Sequence, residues 1–399
     1  RQRQMCIRDS FQIESAAQMQ TIIRIKPKNL VDMAHEVAAV RPGVGANDGV
    51  SEYIRRRKRR QVEPGWPIPY EHISEEPALE RTLGMILFQD QFNELAIHVA
   101  GFTPTEAEEF RRAYSRPDEN EDIASYWWPK FRDGAHSHGV NGQTAARIFK
   151  KFYGQYMFPE AHAYAFGVTA YQMAWLKYHY PLEFFVGLFN EQPMGFYNIE
   201  TLKEDAKRHG VLILKPDANL SREQCLAESN ALRLGLLNVA GISRESAKAI
   251  VAERDQRGSY RSIEDLMERN NLLKESLENL AGSGALDSLS NTPRRAIQWE
   301  VGLRSRPKRT VKGPSHKAQR QVSLPLPVEH DMVPLVEPSA WEQMIEEYRT
   351  LGLHPSSHLM AYIRDRLSEV TTTDRLWELP HGTVAVSYTH LTLPTSDLV

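Results

Sequence analysis

Cysteine is nearly missing from this chain: 399 residues contain two, Cys6 and Cys225. No disulfide framework can be built from so few, and a reducing cytosol suits them. Also missing is any apolar run of membrane-spanning length, so no transmembrane helix is expected. An excess of charge is lacking as well, since 49 basic and 51 acidic side chains leave a formal net charge of −2. That balance would argue against a polyanionic partner only if the charges were mixed, and they are segregated. Residues 55–60 read "RRRKRR", residues 117–122 read "PDENED", and residues 304–320 are rich in lysine and arginine.

What is present fits a globular protein. The length allows two or three domains and a substantial core. The two ends stand apart. One codon choice for Arg1 to Ser10 has a reverse complement that encodes, in frame, Val-Ser-Tyr-Thr-His-Leu-Thr-Leu-Pro, the sequence of Val386 to Pro394. Residues 1–10 and 386–399 therefore read as one inverted DNA sequence, resembling a sequencing adaptor, translated from both strands. They are set aside from fold reasoning, and the remainder is expected to be a fragment cut at both ends.

Within that remainder the periodicity is mostly helical. "ALERTLGMILFQDQFNELAIHVAG" gives a short apolar run and then a helix with Phe92, Leu95, Ala96 and Val99 on one face. Thr103, Pro104 and Glu106 form the signature of a capped helix start, and Pro117 stops that helix. "TLKEDAKRHG" reads as a helix ended by Gly210, while "VLIL" and "ALRLGL" read as short strands. Residues 239–289 hold two helix–turn–helix patterns. Residues 304–338 read as a disordered linker, and "SAWEQMIEEYRTLG" reads as a final helix before the first strand of a further domain. In "FPEAHAYAFGVTAYQMAWLKYHYP", Tyr164, Tyr171, Trp175 and Tyr178 share a helical face, which points to packing.

Four motifs carry possible chemistry. In "VAGISRESAKAIVAER", Val239, Ile242, Ala247 and Ile250 form an apolar seam broken by a tight turn at Gly241. That is the pattern of a helix–hairpin–helix, in which glycine admits a phosphate and the next helix offers its amides. Arg244 and Lys248 sit beside the turn, suited to phosphate contacts; an ordinary helical hairpin has the same pattern. Arg111 and Arg112, near the end of a capped helix, can complement its dipole or reach one polyphosphate. Arg55, Arg56, Arg57 and Lys58 begin a run of cations that repel each other unless neutralised, as by phosphate. In the linker, "QVSLPL" reads either as a docking peptide offering Gln321, Leu324 and Leu326, or as the chance apolar content of a linker. His162, at the start of the aromatic helix, can face an anion there. His136 and His138 have no third ligand nearby, and no carboxylate set on strand-like sequence suggests a two-metal centre.

"FPEAHAYAFGVTAYQMAWLKYHYPLEFF" resembles the fingers of the bacterial C-family DNA polymerases, the alpha subunit of DNA polymerase III. "FQIES", "VRPG", "LGMILFQDQ", "AGFTPTEAEEFRRA" and "GALDSL" match that family in the same order. "FPEAH" and "NEQPMGFYNIETLKEDAKRHGV" resemble its error-prone translesion branch. The resemblance implies a mainly α, multi-domain fragment: fingers over 11–200, tandem helix–hairpin–helix over 201–300, a linker over 301–338, and the start of an OB-type β domain over 339–385. It implies that Arg111, Arg112 and His162 bind the nucleotide triphosphate, and that "QVSLPL" docks on a sliding clamp. Glu160 is a departure, standing where the replicative enzymes carry lysine; "AYSRPDENED" also departs from a basic continuation.

The implied reaction is attack of a primer 3′-hydroxyl on a nucleotide alpha-phosphate, with two Mg2+ ions and release of pyrophosphate. In the family order the metal-binding aspartates lie upstream of Phe11, so this stretch is expected to bind primer–template DNA and nucleotide without catalysing. Other replication or translesion factors are further expected partners, a membrane is not, and the expected location is the cytoplasm. Two rivals remain open: a non-enzymatic helix–hairpin–helix repair scaffold, and a clamp-tethered structural subunit.

Overall fold

In a computed structural model, residues 13, 15–40, 46–114, 120–152, 159–194, 198–305 and 335–363 are described, with 378 and 380. The helices among them are α1 (Ala16–Ile25), α2 (Leu30–Ala39), α3 (Ala46–Val62), α4 (Gln89–Ala100), α5 (Pro104–Tyr114), α6 (Asn120–Ser137), α7 (Gly142–Lys150), α8 (Glu160–His179), α9 (Pro181–Asn190) and α10 (Ile199–Arg208). After three short strands come α11 (Arg244–Arg257), α12 (Ile263–Arg269), α13 (Lys274–Gly282), α14 (Arg294–Arg304) and α15 (Ala340–Leu351). The chain is mainly α.

Helix α4 is the axis of the first half. The predicted stripe of Phe92, Leu95, Ala96 and Val99 is fully buried and packs against α5 and α6. Phe92 meets Phe152 at 4.4 Å and Phe110 at 5.0 Å between ring centroids. Each such ring removed from water contributes about 1.5–3 kcal/mol. The predicted cap of α5 is formed: Thr103 N donates to Glu106 Oε2 at 2.8 Å, and Glu106 N donates to Thr103 Oγ1 at 3.3 Å.

Helix α8 corrects an expectation. Its tyrosine and tryptophan face does not form the packing surface. Tyr171, Trp175 and Tyr178 are 50%, 42% and 68% exposed, and only Tyr164 is half-buried. The face turned inward is the small one, Ala163, Gly167 and Ala170, laid along α2. A Cβ on Gly167 would lie 3.1 Å from the Ala34 amide nitrogen, so glycine there permits the two backbones to approach. Close backbone contact has decided the orientation over aromatic area.

The second half has one continuous core running from Phe185 to Leu353. Its sheet has the order β1–β3–β2, with β1 (Leu212–Leu214), β2 (Leu226–Glu228) and β3 (Ala231–Arg233). Strands β1 and β3 pair in parallel, Ile213 opposite Leu232; β2 and β3 pair antiparallel, Ala227 opposite Leu232. The two predicted strand runs are β1 and β3, while β2 carries no strand signal in "LAE". The final predicted helix is α15. Its Thr350 carbonyl accepts from Ala240 N at 2.8 Å and its Glu347 pairs with Arg294 at 2.8 Å, so it braces this core. No strand follows it up to residue 363, where Leu359–Ile363 is helical. The expected start of a β domain otherwise lies outside the described residues.

Among the described residues, one ion pair joins the halves. Lys177 of α8, fully buried, reaches Asp205 of α10 at 2.5 Å, beside the rings of Phe184 and Phe185. Removing one partner leaves a buried charge unmatched, which typically costs about 3–5 kcal/mol, whereas replacing both with apolar groups can be neutral. Asp205→Ala is therefore expected to lower the unfolding free energy by that amount, and Lys177→Met with Asp205→Leu to recover most of it in urea titrations.

Helix α2 buries three titratable side chains, Asp32, His35 and Glu36, and the last two carry the largest shifts. Glu36 is fully buried with neither oxygen partnered, and burial pushes its carboxyl up to about 8. His35 donates or accepts at Tyr53 Oη over 2.8 Å, and burial holds its ring down at about 4. Between the ordinary carboxylate range and about 8, the unfolded chain loses the Glu36 proton that the folded chain keeps, so stability falls as pH rises. Between the ordinary imidazole range and about 4, the unfolded chain gains a His35 proton that the folded chain refuses, so stability falls as pH drops. Glu36→Gln is expected to raise the melting temperature by several degrees at pH 8 and to leave it nearly unchanged at pH 5.

Candidate functional site

The arginine pair sits in the last turn of α5 and shares one carboxylate. Arg111 donates from Nε to Glu108 Oε2 at 2.8 Å and from Nη2 to Oε1 at 2.7 Å. Arg112 Nε reaches the same Oε1 at 2.8 Å, and Asn93 Nδ2 of α4 adds a 3.2 Å bond to Oε2. Arg111, first among these, holds the Glu108 carboxyl down to about 2. Two guanidinium groups share this carboxylate, with Arg112 the outward member at 73% side-chain exposure and Arg111 largely enclosed at 17%. This geometry suits a planar or tetrahedral oxyanion.

A polar row on α4 connects the pair to the start of α8. Asp90 acts electrostatically on Arg111, and its Oδ2 accepts from Glu160 N, the first amide of α8, at 2.6 Å. Thus the first of the amides that the sequence offers to an anion is already held by a carboxylate of the chain itself. His162 lies two residues further on, exposed, its ring 4.2 Å from that of Phe166. The structure brings Arg111 and Arg112 together on Glu108, and brings Asp90 of α4 to the first amide of α8.

Arg81 was missed by sequence reasoning. It pairs with Glu94 at 2.7 Å and with Glu160 at 3.0 Å, and its Nη1 donates to Ala78 O at 3.0 Å. Burial opposes its charge, but Glu160 and Glu94 together outweigh it and hold the guanidinium pKa up. The departure at Glu160 thus has its partner 79 residues away in sequence, a separation that no local pattern can reveal.

The two hairpins of the second half differ. At the first, Val239, Ile242, Ala247 and Ile250 form the predicted buried seam. Gly241 turns with φ +74, outside the range comfortable for other residues, and its amide donates to no group among the described residues. Ser243 caps α11, and Arg244 and Lys248, one turn apart, are exposed. From beneath, Ser276 Oγ donates to Gly241 O at 2.7 Å and Asn279 Nδ2 to Ala240 O at 2.9 Å. At the second, Gly284 turns against Arg294, which is committed to Asp287 and Glu347, each at 2.8 Å. Only the first presents its turn and cations outward.

The basic run winds around α3 and is largely matched from within. Arg57 pairs with Asp32 at 2.6 Å and donates to Ile25 O; Arg56 pairs with Glu52 at 2.6 Å and donates to Leu83 O. Arg55 also pairs with Glu52, at 2.7 Å, while remaining exposed, and Lys58 faces solvent. Carboxylates and carbonyls therefore relieve repulsion that the sequence alone leaves to a polyanion. Gln321, Leu324 and Leu326 lie outside the described residues.

Residues 4–139 match the bacterial DNA polymerase III alpha subunit finger domain, and residues 210–297 match a helix-hairpin-helix motif. The chain is similar to proteins named error-prone DNA polymerase. It is 35% identical to that of Nocardia farcinica over 97% of this chain and 34% of the relative. It is 36% identical to that of Dechloromonas aromatica over 93% of this chain and 35% of the relative. To that of Corynebacterium diphtheriae it is 39% identical over 73% of this chain and 27% of the relative. The chain spans about a third of the length of the first two of these relatives.

The Arg81–Glu160 pairing makes a charge-swap test. Glu160→Lys places two cations together and is expected to cost about 1 kcal/mol, the scale of a partly exposed pair. Adding Arg81→Asp is expected to recover part of the loss in thermal melts, limited by Glu94.

Proposed function

The chain belongs to the bacterial C-family DNA polymerases, on the error-prone branch, and from that premise we propose that it supplies the nucleotide- and DNA-gripping part of a DNA-directed DNA polymerase. In this reading the triphosphate of an incoming deoxynucleotide displaces Glu108 from Arg111 and Arg112. Glu108 stands in for a phosphate while no nucleotide is bound. The observation that carries the reading is that single carboxylate, held by both arginines. His162 and the α8 N-terminus would approach the same triphosphate. The duplex would lie on the first hairpin, where Gly241 admits a phosphate and Arg244 and Lys248 flank it. A sliding clamp would engage Gln321, Leu324 and Leu326.

The Mg2+ ions of such an enzyme supply charge neutralisation and an activated primer oxygen. Among the described residues, no group of three or more histidine, cysteine, aspartate or glutamate side chains can hold a metal ion. In the family order the metal-binding aspartates lie upstream of Phe11, so the chain as given is expected to bind DNA and nucleotide without extending a primer. No helix among the described residues is long and apolar enough to cross a membrane.

The outward hairpin also suits a second reading, a non-enzymatic DNA-binding scaffold. Equilibrium binding separates them. Arg111→Ala is expected to weaken binding of a fluorescent deoxynucleoside triphosphate about ten-fold, roughly 1.4 kcal/mol, with blunt duplex binding unchanged. Arg244→Ala with Lys248→Ala is expected to weaken duplex binding and to reduce its salt slope by about 2. Triphosphate binding that is absent, or indifferent to Arg111, leaves the scaffold. Primer extension by the chain as given would overturn the division of labour.

A further inference from the structure

The cations "RRRKRR" of α3, residues 55–60, sort into two sets once the helix is formed. At about 100° per residue, Arg56, Arg57 and Arg60 fall on the arc that also carries the buried Tyr53, and Arg55, Lys58 and Arg59 fall on the opposite arc. The first set is consumed by the fold. Arg56 pairs with Glu52 and donates to Leu83 O at 2.8 Å. Arg57 pairs with Asp32 and donates to Ile25 O at 3.0 Å, and Arg60 donates to Trp66 O at 2.5 Å.

The second set is turned to solvent. Arg55 shares Glu52 with Arg56 and its side chain is 77% exposed. Lys58 and Arg59 are exposed and pair with no carboxylate among the described residues. Ser51, one turn before Arg55, and Val62, one turn after Lys58 and Arg59, complete this face and are exposed as well. Exposed Glu63 limits the row just past the helix end. Three cations therefore stand within about 6 Å of helix axis, and their repulsion is unrelieved from within. Arg59 is also held 5.6 Å over the Trp66 ring, which orients its guanidinium before any partner arrives.

We propose that Arg55, Lys58 and Arg59 hold the sugar–phosphate backbone of duplex DNA without reading its sequence. An open helix face has no walls to enclose a compact anion, in contrast to the largely enclosed Arg111; it can only lie along an extended one. The face carries no aromatic side chain, and the half-buried Trp66 beside it is taken by Arg59, so nothing there stacks on an unpaired base. Duplex DNA carries one charge per about 1.7 Å of axis, twice the density of a single strand, so closely spaced cations gain most from it. The inward set has a part in this as anchor: Arg56 and Arg57 fix α3 to Leu83, Ile25 and Asp32, and the outward cations stand on a rigid support. The proposal rests on the reading that the chain grips DNA, and it adds a second backbone contact to that of the hairpin.

Binding of a fluorescein-labelled blunt duplex and of labelled oligo(dT) to the full chain, titrated over a range of salt, tests it. Replacing Arg55, Lys58 and Arg59 with glutamine is expected to weaken duplex binding at least ten-fold and to reduce its salt slope by about 2.7, near 0.9 for each phosphate contact. The melting curve by circular dichroism is expected to stay unchanged, because these side chains hold nothing inside, and oligo(dT) is expected to lose less than the duplex. Arg57→Gln is expected to do the reverse, lowering the melting temperature while the salt slope stays in place. Arg132→Gln with Lys150→Gln removes exposed cations elsewhere and is expected to leave the slope unchanged; the same loss per charge removed would assign the effect to net charge and overturn the proposal. A larger loss on oligo(dT) than on duplex would overturn the assignment to duplex. If the triple variant keeps full duplex affinity and slope while Arg244→Ala with Lys248→Ala weakens binding, the inference falls and the DNA-gripping reading stands. If the chain binds no duplex at all, both fall.

Discussion

A buried lysine and a buried aspartate fix the relation between the two halves of this protein. Lys177 and Asp205 have no solvent to compensate them, so their separation cannot relax without a large desolvation cost. What such a pair contributes is direction more than stability. It sets the end of α8 against α10, while the other end of α8 receives Asp90 on its first amide. A 20-residue helix is about 30 Å long, so α8 acts as a strut between the arginine pair and the hairpin region. Lys203, also buried, extends the same logic: it meets Glu200 at 2.7 Å and the carbonyls of His354 and Ser357, tying α10 to the stretch beyond α15.

Positive charge is handled in two ways along the chain. The densest run, on α3, is largely spent on internal contacts, and Arg57 is almost as enclosed as the Asp32 that it holds. A sparser group, Arg24, Lys26 and Lys28, has no such partners among the described residues. The count of cations in a window is thus a poor guide to a phosphate surface. The arginine pair is intermediate, since Glu108 pairs with both members and is itself part-exposed.

Much of the helical plan was legible because its causes are local. Thr103 and Glu106 announce a helix start through the bonds that they make, and the stripe from Phe92 to Val99 needs only a 3.6-residue period. The hairpin seam of Val239, Ile242, Ala247 and Ile250 was readable for the same reason. What escaped depends on contacts distant in sequence. β2 is a strand because β3 pairs with it, though Leu-Ala-Glu has no strand preference of its own. Four aromatics on one side of α8 looked like core, yet Gly167 and two alanines won by letting backbones meet. Arg81 gained its place only through Glu94 and Glu160. That Arg111 and Arg112 close a capped helix was readable, but their shared carboxylate was not, because Glu108 in "TEAEEF" looks like ordinary helix surface.

The brace formed by α15 has a further consequence for how the chain can vary. Ala240, the residue before the hairpin glycine, donates to Thr350, and Arg294 and Arg295 hold Glu347 and Glu342 from the other side. These bonds run directly between residues 240–295 and residues 340–351. The hairpin turn and the seat of α15 are thus specified by each other, and a substitution that loosens either one is felt at both.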